Sequence, residues 1–127
     1  MVTNEELKAF VRNTMGCGCP DEVFLHMECR SDTKIEGVPL RARIDVSNRL
    51  LIYVYKWDLS GSLQEILPRL VDMGTRERDE LGFNRFRLAI AVESPGDLED
   101  AEMLFKSVAK DDQVYLHIIP EKILPRF

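Results

Sequence analysis

The sequence alternates between apolar strand-like segments and amphipathic helix-like segments over residues 50–119. Strand-like runs cover residues 50–57, 86–92 and 113–119, and helix-like segments lie between them. Two strands joined through a helix pair in parallel by a right-handed crossover, because the helix returns the chain to the end of the sheet where the first strand began. The order therefore predicts a parallel β-α-β-α-β unit.

A hairpin is expected just before this unit. Residues 40–46 are strand-like, and Ser47-Asn48-Arg49 has the length and polarity of a turn into residues 50–57. Apolar and polar residues alternate in the first run, which is typical of a half-exposed strand at the side of a sheet. The second run is apolar almost throughout and predicts the sheet centre. The expected fold class is α/β (α+β mixed): a single mixed sheet with an antiparallel hairpin, the parallel unit and an N-terminal helix packed on the sheet.

The N-terminal third predicts two further elements. Thr3 and Glu6 fit a capping box at the start of a helix over residues 3–15, and Gly16 is a natural stop. Residues 20–30 fit both a short helix beginning with Pro20 and an alternating strand. We favour a helical turn that passes into a strand near Met27. Residues 31–39 are polar and predict a turn region.

The later helices carry their own start and stop signals. Residues 62–81 are helical in composition and end at Gly82, but Pro68 removes an internal hydrogen bond. Either the main helix begins at Pro68, or one longer helix is kinked there. Ser94-Pro95-Gly96-Asp97 predicts the start of another helix. We expect His117, which alternates within an apolar strand, to be a satisfied core or edge histidine.

Length and charge exclude several classes of protein. A chain of 127 residues is the usual size of one domain, so we expect residues 1–127 to form one. No run reaches the roughly 18 apolar residues of a membrane span, and the acidic start is unlike a signal peptide. These features predict a cytoplasmic protein without a membrane partner.

The net charge of −5 argues against nucleic acid as a partner, because such binders neutralise phosphates with excess Lys and Arg. The densest basic residues are interleaved with acidic ones and predict a solvated helix face and strand edge. They are Arg76, Arg78, Arg85 and Arg87.

The thiol segment Cys17-Gly18-Cys19-Pro20 is the most informative chemical feature. With three cysteines in the chain, random placement gives a pair separated by one residue only about one time in twenty. If Cys19 caps the helix that begins at Pro20, unpaired backbone N–H groups favour its thiolate. We then expect Cys19 to alkylate faster than Cys29.

Three uses of the thiols compete with a purely structural role. A Cys17–Cys19 disulfide closes a very small, strained ring, which suits redox chemistry. A zinc site would combine both thiolates with Cys29 and His26, although the spacing is tighter than in zinc knuckles. An iron–sulfur cluster ranks third, because its common forms need four thiolates. Alternatively, the cysteines are small buried apolar residues.

A second candidate site follows from the predicted topology. Ligands of open α/β sheets bind beyond the carboxyl ends of parallel strands, where two loops meet. The residues expected there are Trp57, Asp58, Glu93 and Ser94. Capping and turn formation also explain these loops, and their carboxylates repel phosphate. If the thiols lie at the same end, within about 15 Å, the two features form one composite site.

The leading hypothesis is a small protein that binds a metal ion or performs thiol redox chemistry through Cys17 and Cys19. The alternative is a non-enzymatic binding or assembly module with structural cysteines. The sequence leaves open whether the protein is an enzyme and which ligand it takes. The polar edge of residues 40–46 also leaves a homodimer as an alternative, although its charged side chains favour protection of that edge.

Overall fold

The computed structural model describes residues 3–15, 21–57, 63–93, 101–108, 113–125 and 127. Five strands are present in this part: β1 (Met27–Ile35), β2 (Val38–Val46), β3 (Leu50–Lys56), β4 (Arg85–Val92) and β5 (Val114–Pro120). The α-helices are α1 (Asn4–Ala9), α2 (Leu63–Leu81) and α3 (Ala101–Val108). A π-helical turn covers Phe10–Thr14, and 3₁₀ turns cover Asp21–Leu25 and Glu121–Ile123. In these ranges no helix combines the length and hydropathy needed to cross a membrane.

The five strands form one mixed sheet in the order β1-β2-β3-β4-β5. The first three pair antiparallel, and β3, β4 and β5 pair in parallel. The predicted fold class is therefore confirmed, with β3 at the centre. Its residues Leu50 to Val54 are at most 4% exposed, as expected for a strand covered on both faces.

The β1–β2 hairpin corrects two expectations. Residues 31–39 are not a turn region, because β1 continues to Ile35 and only Glu36 and Gly37 form the turn, at φ 50° and 82°. Glycine adopts such left-handed angles without strain. The prediction was wrong because β1 is largely solvent-exposed and its polar sequence resembles a loop. The predicted side position of residues 40–46 was also wrong, since β1 covers β2; a homodimer through that edge is excluded by this pairing.

The edge strand β1 contains a local irregularity. Asp32 has a φ of 47°, and the ladder pairs Ser31 with Ala42 and Thr33 with Leu40 on either side of it. The Arg41 guanidinium lies 3.3 Å from the Asp32 carboxylate across the two strands. The strand thus keeps its register while one residue leaves the extended conformation.

The predicted helix over residues 3–15 is present as α1 and the π-helical turn that follows it. The expected helix stop at Gly16 and helix start at Pro20 lie outside the described residues. The Thr3 hydroxyl accepts a hydrogen bond from the Glu6 backbone N–H at 3.1 Å and donates one to the Glu6 carboxylate at 3.1 Å. The first bond is the N-cap interaction that stabilises a helix start, and the second joins the two side chains. The 3₁₀ turn Asp21–Leu25 leads into β1 at Met27, which confirms the favoured alternative for this segment.

The structure distinguishes between the two alternatives for Pro68, a helix that begins there and a longer helix that contains it. It is one continuous helix with Pro68 inside it, and Gly82 follows at φ 78°. Farther along, Gly74 packs directly against the Phe86 ring, where an added Cβ would overlap the ring atoms. The Phe86 ring also meets Tyr53 edge-on, with ring centroids 4.9 Å apart. Glycine at this helix position therefore permits close packing of α2 on the sheet.

Each face of the sheet carries its own apolar cluster. One contains Leu7, Phe10, Val11 and Met15 of the N-terminal segment with alternate strand residues such as Ile52 and Ala89; we call it the α1-face cluster. The other contains Leu67, Leu70 and Val71 of α2 with the intervening residues such as Leu51 and Leu88; we call it the α2-face cluster. Side chains alternate between faces along a strand, so β3 and β4 contribute to both clusters.

Candidate functional site

Four of the predicted site residues, Cys17, Cys19, Asp58 and Ser94, lie outside the described residues. The reactivity of Cys19 and the distance between the thiols and the strand-end carboxylates therefore stay predictions. The structure describes the other four, His26, Cys29, Trp57 and Glu93.

Cys29 and His26 do not meet in a ligand cluster. Cys29 lies in β1 opposite Ile44 and packs, half-buried, against the α1-face cluster. Burial raises the pKa of its thiol, and a hydrogen bond with Ser31 offsets only part of this effect. His26 is exposed. Over the described ranges, no group of three or more His, Cys, Asp or Glu residues could hold a metal ion.

Trp57 and Glu93 lie at the carboxyl ends of neighbouring parallel strands. The Trp57 backbone N–H donates to the Ala91 carbonyl at 3.0 Å, which extends the β3–β4 ladder by one residue. The indole is half-buried against the α2-face cluster, whereas Glu93 is exposed. The topology thus brings these two predicted residues to one end of the sheet.

The described residues that flank the thiol segment in the sequence lie toward the opposite end of the sheet. Leu50 pairs with Arg85 at the amino ends of β3 and β4, and the His26 carbonyl accepts from Ser47 N–H at 2.7 Å beside them. The Met15 carbonyl accepts a 2.7 Å hydrogen bond from Arg87 Nη1. Arg87 precedes Glu93 by six residues of extended chain, or roughly 20 Å.

Arg87 is a buried arginine in β4. It is only 9% exposed, and its Nη1 lies 2.7 Å from the Met15 carbonyl and 2.9 Å from His117 Nε2. The guanidinium carbon lies 4.6 Å from the centre of the Tyr115 ring. Its Nε is buried without a hydrogen-bond partner, and the described residues supply no salt bridge. Burial, first of all, lowers the pKa of the guanidinium.

His117 is a neutral partner of Arg87. Burial, and secondly the positive charge of Arg87, lowers the pKa of the imidazole to about 4. At neutral pH the ring therefore carries one proton, and the contact with Arg87 Nη1 assigns it to Nδ1, so that Nε2 accepts. This agrees with the expectation of a satisfied histidine, since β5 is an edge strand and His117 is half-buried.

The sequence interpretation missed Arg87. It grouped Arg87 with solvated arginines, which is wrong for Arg87 and also for Arg78, since the latter is only 6% exposed. One signal could have identified Arg87: it is the single charged residue within the apolar run 86–92. A charge in such a strand is costly to bury and needs a specific reason to be there.

A second polar cluster lies on the other face of the sheet. Oε1 of Glu77 on α2 accepts from Arg43 Nε at 2.7 Å and from the Tyr53 hydroxyl at 3.0 Å. Tyr53 is fully buried, and burial together with the Glu77 charge raises the pKa of its hydroxyl above the usual range. These bonds connect β2, β3 and α2, which indicates a structural role.

Comparison of the sequence with protein-family models, with curated proteins and with solved structures finds no match.

Proposed function

We propose that this chain is a thiol-redox protein in which Cys17 and Cys19 alternate between a dithiol and a disulfide. The observation that carries the proposal is the hydrogen bond from the buried Arg87 guanidinium to the Met15 carbonyl, at 2.7 Å. Met15 precedes Cys17 by two residues, and two residues of backbone span at most about 7 Å. A fixed positive charge therefore stands close to the start of the thiol segment.

The charge of Arg87 supports thiolate chemistry. A nearby cation stabilises a thiolate and lowers the pKa of the thiol, and the thiolate is the reactive form in disulfide exchange. His117 is neutral near pH 7, because its pKa is about 4, so the positive charge of this pair is that of Arg87. The local field therefore favours an anionic sulfur at neutral pH.

The same environment makes a zinc site the weaker alternative. Arg87 would repel a divalent cation bound nearby. Cys29, one of the expected zinc ligands, has a raised thiol pKa, which opposes the deprotonation that metal binding requires. A strained Cys-x-Cys ring, by contrast, is easily reduced and suits a reversible cycle.

The proposed reaction is exchange with an external disulfide. One cysteine thiolate attacks a sulfur of that disulfide, forms a mixed disulfide and releases a thiolate, which takes up a proton. The second cysteine, as its thiolate, attacks the mixed bond and releases the second thiolate. The chain loses two electrons and two protons, and the disulfide becomes two thiols. Trp57, Asp58, Glu93 and Ser94 remain the proposed residues of a separate small-ligand site.

The second candidate is a binding or assembly module with structural cysteines. The exposed side chains of Leu25, at 76%, and Met103, at 74%, favour it, because large exposed apolar groups often mark contact sites. Cys29, packed against the α1-face cluster, already fits a structural role.

Redox titration with reduced and oxidised glutathione, followed by alkylation and mass spectrometry, tests the proposal. We expect a Cys17–Cys19 disulfide that forms and is reduced reversibly, and that is lost in Cys17→Ser and in Cys19→Ser. The matched control Cys29→Ser should keep it. Thiols that stay reduced under mild oxidants would contradict redox function, and stoichiometric zinc in protein purified without a tag would favour the metal site instead.

A further inference from the structure

The two edge strands of the sheet differ in how they are protected against pairing with another chain. Charges and backbone irregularities hinder the addition of a further strand. In β1, Asp32 has a left-handed backbone, and the exposed residues Glu28, Arg30, Asp32 and Lys34 carry alternating charges. The run 114–119 of β5 contains no Asp, Glu, Lys or Arg and no residue with positive φ. His117 in this run is uncharged near pH 7, because its pKa is about 4. The β5 edge therefore lacks the protection that β1 has.

Every second residue of β5 turns its backbone groups toward the open side of the sheet. Within the described ranges, β5 pairs with β4 alone. The Gln113 carbonyl accepts from the Phe86 N–H at 3.0 Å, so Gln113 and alternate residues after it face β4. The backbone N–H and C=O groups between them face outward, and no described residue pairs with them. The outward-facing residues are Val114, Leu116 and Ile118.

These three residues are complementary to a second copy of themselves. In an antiparallel pair with a two-fold axis at Leu116, Leu116 lies opposite its own copy, and Val114 lies opposite Ile118. Each opposed pair exchanges two hydrogen bonds, because both of its residues face outward. An axis at Ile118 would instead place Leu116 opposite Pro120, which has no N–H. The register about Leu116 thus satisfies all three residues and ends before Pro120.

The side chains of β5 fit the same register. Val114, Leu116 and Ile118 lie on the α2 face, where the last two are only half-buried. Opposed apolar side chains on one face of an antiparallel pair bury each other's surface. On the α1 face, half-buried Tyr115 would lie opposite His117 of the second copy. A second copy therefore brings apolar contacts and no repulsion between like charges of the strands.

We propose that the β5 edge is an interface between two copies of this chain, whose β5 strands pair antiparallel about Leu116 to form one continuous sheet. The same residues of both copies make this interface, so a pair of chains closes it and assembly stops at the dimer. The outer edges of the dimer are then the two β1 strands, which their charges protect. The interface does not use the thiols and is independent of the proposed redox cycle.

Sedimentation equilibrium at pH 7 tests the association directly. A reducing agent is present, so that disulfides between chains do not contribute. Over concentrations from about 1 μM to about 1 mM, which cover weak and moderate affinities, we expect an equilibrium between monomer and dimer without larger species. A chain that is still monomeric at about 1 mM would overturn the proposal.

Charge exchange at Leu116 tests the register. Leu116→Lys and Leu116→Glu each place two like charges opposite each other, so the dissociation constant should rise by about tenfold or more. An equimolar mixture of the two variants should recover dimers, because opposite charges then face each other. The control Leu25→Lys changes a leucine that is 76% exposed in the turn before β1 and should leave the dissociation constant unchanged. Loss of the dimer in this control, or folded Leu116 variants that do not recover it when mixed, would contradict the interface.

Amide hydrogen exchange tests the pairing without a variant. The N–H groups of Tyr115 and His117 face β4 and should exchange slowly at every protein concentration. Those of Leu116 and Ile118 face outward and should exchange rapidly in dilute protein and slowly in concentrated protein. Rapid exchange of Leu116 and Ile118 at all concentrations would show that the edge stays unpaired and that a dimer, if present, forms elsewhere.

Discussion

Each face of the sheet carries an arginine that is largely shielded from solvent, and the two arginines have different partners. On the α2 face, Arg43 meets the carboxylate of Glu77, which also accepts the Tyr53 hydroxyl, so charge and hydrogen bonds are matched. On the α1 face, Arg87 is held by the Met15 carbonyl and by His117, both uncharged at neutral pH. An arginine paired with a carboxylate stabilises the fold. A buried arginine whose described partners are uncharged stabilises it less, so a role in function would explain its presence.

The largest expected effect comes from breaking the matched cluster. Glu77→Ala removes the acceptor of two hydrogen bonds and leaves Arg43 and Tyr53 without it. Because the Glu77 side chain keeps 24% exposure, we expect a loss of about 2–3 kcal/mol in the free energy of unfolding. Urea denaturation followed by circular dichroism measures it. Glu80→Ala, an exposed change on the same helix, serves as the control, and an equal small loss in both variants would contradict the matched role of Glu77.

The next effect is a dependence of stability on pH that originates at His117. Its folded pKa of about 4 lies below the unfolded value of 6.5, so the unfolded chain binds more protons between these values. Stability should therefore fall as pH decreases from about 6.5 to about 4. Partial exposure limits the loss to about 1–2 kcal/mol.

His117→Gln tests this origin by removing the titrating ring. The difference in unfolding free energy between the original chain and the variant should shrink or reverse as pH drops through this window. A difference that stays constant from pH 7 to pH 4 would show that His117 does not contribute.

A smaller effect is expected from Arg87→Met, although Arg87 is more buried than Arg43. The variant loses the bond to the Met15 carbonyl, but it also removes from a buried site a charge that no carboxylate of the described residues pairs with. These contributions oppose each other, so the free energy of unfolding should change by less than about 1 kcal/mol in either direction. Urea titration in chloride buffer measures this change in the free energy of unfolding. A loss as large as that of Glu77→Ala would mean that the Arg87 partners compensate its charge well.

The smallest effect should come from an exposed arginine with ideal partners. Arg76 contacts Glu36 at 2.8 Å and Asp72 at 2.9 Å, yet all three side chains are about half-exposed. Solvent and salt screen such pairs, so Arg76→Gln should leave the unfolding midpoint nearly unchanged at physiological ionic strength. A clear loss that persists in 1 M salt would contradict this interpretation and assign Arg76 a packing role.

Most of the sheet could be predicted because its apolar pattern is strong. The run 50–55 is apolar on both faces, and only a central strand buries both. By contrast, β1 has little apolar surface to bury, so its strand character comes from pairing with β2, which local sequence does not encode. The sequence also did not settle whether the helix begins at Pro68 or continues through it. The packing of α2 on the sheet outweighs the local cost of proline, and this packing is not visible in the local sequence.

Some residues of the candidate sites could be predicted from the sequence, and others could not. Topology alone brought Trp57 and Glu93 to one end of the sheet, because parallel strands share their carboxyl ends. The special environment of Arg87 could not be predicted, since it requires contacts with Met15, 72 residues away, and with His117, 30 residues away. Such long-range partners become visible only when the chain is folded.

The left-handed backbone conformation of Asp32 in β1 affects how readily another chain can pair with this edge of the sheet. The unpaired backbone groups of an edge strand can pair with a strand of another chain, and repeated addition produces fibrils. At Asp32 the backbone leaves the extended conformation, so an added strand would meet an interrupted row of donors and acceptors. The opposite edge strand, β5, ends at Pro120, which has no N–H to offer. A strand added to either side of the sheet would therefore meet an interruption, at Asp32 in β1 and at Pro120 in β5.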